Sequence, residues 1–374
     1  MNKRIGLSGT DSLRSDSVVA WNYHAPGTHG MLQIDLQVEN EIIQSATPLL
    51  GSMHRGAEKL FESRDYRQVL GLANRHEWLS AFSGEVGIAC LIERELGIDV
   101  PLGAQWVRTL LLEVFRVSSH LAFLAGYPWN SSSITQSLRQ NREHVVLHMR
   151  SYSGSRMHPM LTQIGGLTHA PTKLWLTELT QILKEVEESL RCLRLEIIDE
   201  LNAMHGVGLI NAQQISEFAL SGPVARAGGV AIDLRPNTKQ LTYHQLSTFS
   251  SATQSAGDVH ARILQLLQEI DTSKTMLDEL IEKAFEFIDQ DVNVLIPKVL
   301  RVPEGEYEFS LETPLGIASW LLISKGDKYP YRMALRPASL HTVLALRAAL
   351  PGNNEALLTN IVASMPFIAG DADR

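Results

Sequence analysis

The sequence predicts a mainly α-helical protein with small β-sheets, an α+β arrangement in a single domain over residues 1–374. Two periodicities predict this fold class. In several long segments apolar side chains recur every three or four positions, as on one face of an amphipathic helix. Near the N-terminus they alternate at every second position, as on one face of a strand. Because no linker divides the chain and no repeat is visible, we expect one hydrophobic core.

The N-terminal part, residues 1–55, is predicted to be rich in β-structure. Between residues 31 and 38 the apolar residues are Leu32, Ile34, Leu36 and Val38, and polar residues separate them. Glu39 and Asn40 are suited to a turn, and residues 42–50 would return as the partner strand. We therefore expect a small antiparallel sheet.

The middle of the chain, residues 56–205, is predicted to form a helical bundle. Apolar residues at helical spacing indicate four helices, at about residues 79–96, 105–124, 140–152 and 172–204. The last has no internal Pro or Gly and ends at His205-Gly206, a glycine stop that is common at helix C-termini. Long helices with short connections are typical of a bundle.

The C-terminal part, residues 206–374, is predicted to mix helices and strands. Residues 236–256 are rich in Ser, Thr and Gln, and we interpret them as a polar excursion on the surface. The remaining elements, in chain order, are a helix at 258–288, short strands at 307–311, 318–324 and 331–335, and helices at 340–349 and 354–365.

Composition excludes several classes of protein. The chain has a net charge of −8, is 44% hydrophobic and 20% charged, and has no run of Lys and Arg. A nucleic-acid-binding protein is therefore not expected. The polar N-terminus does not resemble a signal peptide. No run of apolar residues approaches the ~18 needed to cross a bilayer, so no membrane span is expected.

Motifs for cofactors or metals are also missing from the sequence. Cys90 and Cys192 are far apart, which fits two buried thiols in a reducing compartment and cannot supply an iron–sulfur cluster or a zinc site. Gly206-Val207-Gly208 lacks the preceding strand of a dinucleotide-binding loop. The scattered histidines, among them His120 and His260, are interpreted as hydrogen-bonded structural residues. No metal ligand is predicted.

Several blocks resemble one known family, in its order along the chain. They are PGTHG at 26–30, HRGAEKL at 54–60, GSRMH at 154–158, GVG at 206–208, a block at 221–235 and GDADR at 370–374. These blocks resemble the 49 kDa-type subunit of complex I, the NADH–quinone oxidoreductase, called NuoD in bacteria. The stretch from residue 66 to residue 78 resembles the second-copy NuoD proteins of actinobacteria.

The resemblance implies a specific bundle. The 49 kDa-type subunit shares its fold with the large subunit of nickel–iron hydrogenases, whose metals are held by two Cys-x-x-Cys pairs. This chain has neither pair, so hydrogenase activity is not expected. In the complex I family the corresponding cavity binds a quinone headgroup.

The function implied is that of a subunit in the hydrophilic arm of a proton-translocating NADH–quinone oxidoreductase. Such a subunit forms the quinone pocket beside the terminal iron–sulfur cluster of a partner and supports two-electron quinone reduction, although it is not active alone. It binds no cofactor by itself, since NADH, FMN and the clusters belong to other chains. The implied partners are subunits of the NuoB, NuoC, NuoI and NuoH types. The substrate is menaquinone or ubiquinone, and the location is peripheral, on the cytoplasmic side of the cell membrane.

Three residues match positions of the family's quinone pocket. His29 matches a histidine that hydrogen-bonds one quinone carbonyl, where a group titrating near neutrality can help to supply protons. Trp78 stands where the family usually has a tyrosine that binds the other carbonyl. Asn130 falls on the aspartate that partners the cavity histidine. The resemblance thus implies His29 and Trp78 as catalytic residues and Asn130 as a further pocket residue.

Two residues match positions beside the partner's cluster. Arg55 matches an arginine near the terminal iron–sulfur cluster, and His158 matches a histidine that couples the potential of that cluster to pH. A fixed positive charge beside a cluster favours the reduced state and raises its reduction potential.

The departures from the family pattern cluster at the pocket and leave alternatives open. Besides Trp78 and Asn130, they are Ala25, where the family has a second histidine, and Gln163, where it has an arginine before a Gly-Gly pair. They indicate either adaptation to another quinone or a divergent structural or assembly paralogue with an impaired pocket. A third alternative is the equivalent subunit of a related complex fed by a different electron donor.

Overall fold

A four-stranded sheet forms the N-terminal part of the protein. The computed structural model describes residues 2–6, 18–20 and 30–374. The strands are β1 (Asn2–Gly6), β2 (Val18–Ala20), β3 (Gln33–Glu39) and β4 (Ile42–Leu49), in the order β2-β1-β3-β4. β1 and β2 pair in parallel, whereas β3 is antiparallel to β1 and β4. Asn40 and Glu41 have φ angles of 50° and 64°, the backbone of a two-residue hairpin turn. The predicted hairpin is confirmed.

Helices dominate the next part of the chain, as predicted. They are α1 (Ala57–Phe61), α2 (Tyr66–Ala73), a 3₁₀ turn (Trp78–Ser80), α3 (Ala81–Leu96), α4 (Leu102–Gly126) and α5 (Ser132–Ser153), and after the small hairpin of β5 (Thr162–Gln163) and β6 (Gly166–Leu167) comes α6 (Lys173–Asn202). The helix α5 begins earlier than the predicted residue 140. Its first turns bury Ile134 and Leu138, which continue the apolar stripe of the predicted segment.

The C-terminal part adds helices and a second sheet. Its elements are α7 (Ala212–Glu217), α8 (Gly222–Ala227), α9 (Val259–Glu286), β7 (Gly305–Thr313), β8 (Gly316–Ser324), β9 (Arg332–Arg336), α10 (Ala338–Ala349), α11 (Leu358–Ala363) and α12 (Ala369–Asp373). The strands form an antiparallel sheet in the order β7-β8-β9. The long predicted helix and all three predicted strands are confirmed.

The helix α4 lies at the centre of the bundle. It packs against α3, α5 and α9, while α9 also packs against α6. By length and composition α4 could cross a membrane, but 94% of its most apolar stretch is buried inside the protein. Its apolar character is that of a core helix surrounded by other helices.

Charged side chains lie buried at the centre of this bundle around Arg226 of α8. The Arg226 guanidinium donates from Nε to the Glu269 carboxylate at 2.8 Å and from Nη1 to the Glu312 carboxylate at 2.8 Å. The other oxygen of Glu269 is 2.9 Å from Nε2 of His120. All four side chains are at most 2% exposed. One arginine therefore joins α4, α8, α9 and β7.

A second set of buried charges surrounds Glu113 of α4. Its carboxylate accepts hydrogen bonds from Tyr243 at 2.7 Å and Ser273 at 2.6 Å, and it lies 3.1 Å from Arg116 and 3.4 Å from Arg235. Burial opposes the ionised carboxylate, but the two arginines and the hydroxyl donors outweigh it and lower the pKa of Glu113 to about 2. This group and the charges around Arg226 together form the buried charge network.

Two sequence predictions are wrong. The sequence predicts two buried thiols, but Cys192 is exposed because it lies on the outer face of α6, whereas Cys90 is buried. Residues 236–256 are predicted to be a surface excursion, but Leu241, Thr242 and Tyr243 are buried. The reason is that this segment supplies a hydroxyl donor to Glu113, a contact that composition does not reveal.

The buried charge network yields a prediction about stability. Replacing Arg226 by Met leaves the Glu269 and Glu312 carboxylates buried without their shared cation. Loss of one partner of a buried ion pair costs about 3–5 kcal/mol. We expect the R226M protein to lose that much free energy of unfolding in urea titrations followed by circular dichroism.

The matched control is Arg191→Met, which removes an arginine that pairs with Glu188 on the solvent-exposed face of α6. Exposed ion pairs contribute little, so this variant should unfold like the wild type. Equal behaviour of the two variants would contradict the role given to Arg226.

Candidate functional site

Four segments that are distant in sequence meet at one end of the bundle. They are residues 53–58 before and within α1, residues 74–78 after α2, residues 158–162 after α5, and residues 369–374 at the C-terminus. Three of them carry blocks singled out in the sequence, and the fourth carries Trp78. The contacts between these segments define the candidate site.

The C-terminus is bound to the segment that precedes α1. The Asp373 carboxylate accepts hydrogen bonds from the backbone N–H groups of Gly51 at 2.8 Å and Met53 at 2.7 Å. The Asp373 carbonyl lies 2.8 Å from Nδ1 of His54. Arg374 donates to the carbonyl of Leu335 at 2.9 Å. The terminal residues are thus a built part of the site.

Arg55 and His158 are brought together by one loop. Nη2 of Arg55 donates to the carbonyl of Arg75 at 2.7 Å, and Nδ1 of His158 lies 3.1 Å from the carbonyl of Asn74. Burial lowers the pKa of His158, and the positive charges of Arg75 and Arg55 add to that effect. The two residues predicted to face a partner's cluster therefore share one electropositive environment.

A buried carboxylate, Glu85 of α3, anchors this loop from below. Its oxygens accept from the side-chain amide of Asn74 at 3.0 Å and from the backbone N–H groups of Met160 at 2.9 Å and Thr162 at 3.1 Å. Burial is the largest influence and raises the pKa of Glu85 to about 7, despite these donors. Glu85 therefore fixes both Asn74 and the residues that follow His158.

Trp78 begins the 3₁₀ turn that leads into α3, and its side chain is half-buried against the core. Its neighbour Glu77 is buried, and burial together with the nearby Asp371 raises the pKa of Glu77. Burial also raises the pKa of Asp371 to about 7. The loop that carries Trp78 therefore lies beside the C-terminal segment and shares two buried acids with it.

The remaining predicted residues lie elsewhere or outside the described residues. His29 and Ala25 are outside them. Gly30 is described, and a Cβ built on it would meet Met53 Sδ at 2.8 Å. The chain after His29 therefore enters beside the candidate site.

Asn130 follows α4, where its backbone N–H is 3.2 Å from the Glu200 carboxylate of α6. Gln163 lies in β5, and its carbonyl accepts from the buried Arg108 at 2.9 Å. The structure thus brings together Arg55, His158 and the loop of Trp78, and it holds Asn130 against α6.

A cavity of about 570 Å³ opens between the segment before α1 and the C-terminus. Its lining includes His54, Glu58, Arg332 and Arg374. Glu58 accepts hydrogen bonds from the backbone N–H of Leu335 at 3.0 Å and from Arg332, and these groups outweigh burial and lower its pKa. The cavity is polar and charged, unlike the apolar wall that an isoprenoid quinone tail requires.

Sequence reasoning missed the residues that position this site. Glu85, Asn74 and Asp371 carry the loops, but none was singled out. One signal was available for Glu85, since it is the only charged residue in the first ten of α3, AFSGEVGIAC. An acid surrounded by apolar and small residues on a buried helix indicates a buried polar contact.

The raised pKa of Glu85 gives a prediction with a defined sign. A carboxyl group whose pKa is raised by folding keeps its proton in the native state, so its stabilising contribution is lost as the pH rises from 4.5 to about 7. A shift of that size corresponds to about 3 kcal/mol. Relative to the Glu85→Gln variant, the wild type should therefore lose stability across this window.

The measurement is the free energy of unfolding of both proteins at several pH values. The difference between them at pH 4.5 serves as the internal reference. A difference that is constant with pH, or that grows in favour of the wild type as pH rises, would show that Glu85 is ionised in the folded protein throughout.

Comparisons with known proteins agree on one family. The family model described as "Respiratory-chain NADH dehydrogenase, 49 Kd subunit" matches residues 131–299 and 289–374. The D-type subunit, copy 1, of the NADH-quinone oxidoreductase of Streptomyces coelicolor is 40% identical, covering 99% of this chain and 98% of that protein. The D-type subunit, copy 2, of Salinispora tropica is 40% identical over 98% of this chain and 95% of that protein. These actinobacterial relatives confirm the resemblance to second-copy proteins.

The fold agrees as well. A chain in the solved structure of the membrane-bound sulfane sulfur reductase, an archaeal respiratory membrane complex, matches with a TM-score of 0.86 and 26% identity. The match covers 92% of this chain and 94% of that chain. With the 49 kDa model and the 40% identical relatives, this places the chain in the family of the 49 kDa subunit of respiratory-chain NADH dehydrogenase, the NuoD proteins of NADH–quinone oxidoreductases.

Proposed function

We propose that this chain forms, with its partners, the quinone-binding pocket of a proton-translocating NADH–quinone oxidoreductase, and that it supports two-electron reduction of the quinone. The observation that carries the proposal is the hydrogen bonding of Arg55 and His158 to the adjacent carbonyls of Arg75 and Asn74, on the loop that leads to Trp78. A site for electron entry and a site for quinone would then be joined by a few residues of one loop.

The two cationic residues suit a surface that faces an iron–sulfur cluster. Arg55 and Arg75 are exposed, and His158 is half-buried between them. A reduced cluster carries more negative charge than an oxidised one, so fixed positive charge stabilises the reduced form. Because both contacts are made to backbone carbonyls, the positions of Arg55 and His158 depend on the loop and not on other charges.

The quinone chemistry divides between His29 and Trp78. Reduction of a quinone to a quinol takes up two electrons and two protons, and an imidazole beside a carbonyl oxygen can supply one of the protons. The indole N–H of Trp78 can donate a hydrogen bond to the other carbonyl but cannot release its proton as a phenol does. Trp78 would therefore orient and polarise the quinone, and His29 would be the proton donor.

The rest of the machinery belongs to partners. NADH, FMN and the iron–sulfur clusters are assigned to other subunits, and this chain alone binds none of them. We assign it a place between subunits of the NuoB, NuoC, NuoI and NuoH types, peripheral to the cell membrane on its cytoplasmic side. Asn130 is retained as a third pocket residue, although its backbone is held by Glu200 of α6.

Two other functions are favoured by particular observations. Trp78, Asn130 and Ala25 replace the family's usual residues, which favours a structural or assembly paralogue with an impaired pocket. The likeness to a chain of the archaeal sulfane sulfur reductase favours the equivalent subunit of a related complex with other redox partners. Retention of Arg55 and His158 in a built loop supports electron transfer over the purely structural role.

The roles of Trp78 and His29 are tested in the assembled complex. Trp78→Phe keeps an aromatic ring and removes only the N–H donor, so NADH-dependent quinone reduction should fall about tenfold, the value of one hydrogen bond. His29→Ala should lower quinone reduction further, because a proton donor is removed. NADH oxidation with an artificial acceptor that bypasses the pocket should stay unchanged in both.

Trp78→Tyr serves as the matched control, because it restores the family's residue and should keep or raise the activity. Parallel loss of quinone reduction and acceptor activity in the His29 variant would instead assign His29 to assembly.

The cation pair is tested through the potential of the partner's cluster. Arg55→Met and His158→Gln in the assembled complex should each leave NADH oxidation by the artificial acceptor intact. R55M should lower the midpoint potential of the terminal cluster in an EPR redox titration, since a positive charge is lost. H158Q should flatten its dependence on pH. A cluster unaffected by either variant would contradict the assignment.

A further inference from the structure

A group of three metal-ligand side chains lies outside the candidate site, where the C-terminus of α6 meets the N-terminus of α9. It consists of His205, just after α6, and Asp258 and His260, at the start of α9. One possible ligand atom of each lies within 4.8 Å of those of the other two. Nothing in the proposed electron and quinone chemistry uses these residues.

The carboxylate of this group is held rigidly. Oδ1 of Asp258 accepts from the backbone N–H of Ala261 at 2.8 Å, and Oδ2 accepts from the backbone N–H of Gly206 at 2.8 Å. The Asp258 side chain is only 4% exposed. Each carboxylate oxygen retains a second lone pair, so Oδ2 can bind a cation without losing its backbone contact.

The two imidazoles are placed as ligands rather than as hydrogen-bonding groups. Their ring centroids are 3.9 Å apart, and Nδ1 of His205 lies 3.8 Å from Oδ2 of Asp258, too far for a hydrogen bond. Within residues 30–374, neither ring takes part in a hydrogen bond. Burial and the neighbouring His205 lower the pKa of His260, which favours the neutral form that binds metals.

The distances are within reach of a first-row divalent metal ion. Zinc binds imidazole nitrogen and carboxylate oxygen at about 2.0–2.2 Å, so the three ligand atoms must approach one another by roughly an ångström. His205 supplies that movement, because its side chain is 58% exposed and follows the end of α6. The same exposure leaves a coordination position open to water.

We propose that His205, Asp258 and His260 form a binding site for a divalent transition-metal ion, with zinc as the best-suited occupant. Two imidazoles and one carboxylate are a common zinc ligand set. The ion would clip the end of α6 to the start of α9, the two longest helices of the bundle. This site departs from the sequence interpretation, in which His260 was a structural histidine and no metal ligand was predicted.

The test uses the full chain without an affinity tag, first dialysed against a chelator. Zn²⁺ is titrated calorimetrically, and Co²⁺ is added as an optical probe whose visible absorption reports nitrogen and oxygen ligands. We expect one equivalent of Zn²⁺ to bind, Co²⁺ to give an absorption band that Zn²⁺ displaces, and Zn²⁺ to raise the thermal unfolding midpoint until the chelator is restored.

The variants identify the ligands. His205→Gln and His260→Gln should each weaken Zn²⁺ binding by at least about tenfold, as for loss of one ligand. The control is His144→Gln, since His144 is exposed and lies 4.0 Å from the Glu185 carboxylate but has no second histidine in that contact. Undiminished binding by both ligand variants, or no binding by the wild type, would overturn the proposal.

Discussion

The shared bonding of one buried guanidinium, that of Arg226, is the constraint on which the bundle depends. Its two carboxylate partners come from α9 and β7, and one of those carboxylates also holds the histidine of α4. Charges this deep in a protein are tolerated only when every one is paired and hydrogen-bonded. The four elements must therefore meet in one register, which hydrophobic contact alone would not specify. Hydrophobic burial supplies the driving force, and the charges select the arrangement.

The same constraint reaches the candidate site. Arg116 donates to the carbonyls of Glu312 and Thr313 at 3.2 and 3.1 Å, and Glu77 lies close enough to Arg116 and Asp371 for both to influence its pKa. The loop of Trp78 is thus connected on one side to the buried charge network and on the other to the C-terminus. A pocket built on this loop inherits the rigidity of the core, although its residues lie at the surface.

The sequence predicted most of the long elements and few of the polar contacts. Amphipathic spacing determined α4, α6 and α9, because burial of an apolar stripe leaves a periodic pattern. The location of Tyr243 was missed, since a polar segment looks alike whether its hydroxyl donates to water or to a buried carboxylate. Arg55 and His158 were found through resemblance, whereas Glu85, which positions the loop between them, was not. A buried acid reveals its partners only in three dimensions.

The central claim is that this chain supports quinone reduction although tryptophan replaces the usual tyrosine. The most direct measurement is NADH-dependent quinone reduction by membranes from cells in which this chain is the only copy of its kind, with an artificial electron acceptor assayed in parallel. The account predicts both activities, with the quinone activity sensitive to inhibitors of the pocket. Acceptor activity without quinone reduction would contradict it and would leave the chain a structural component of the complex.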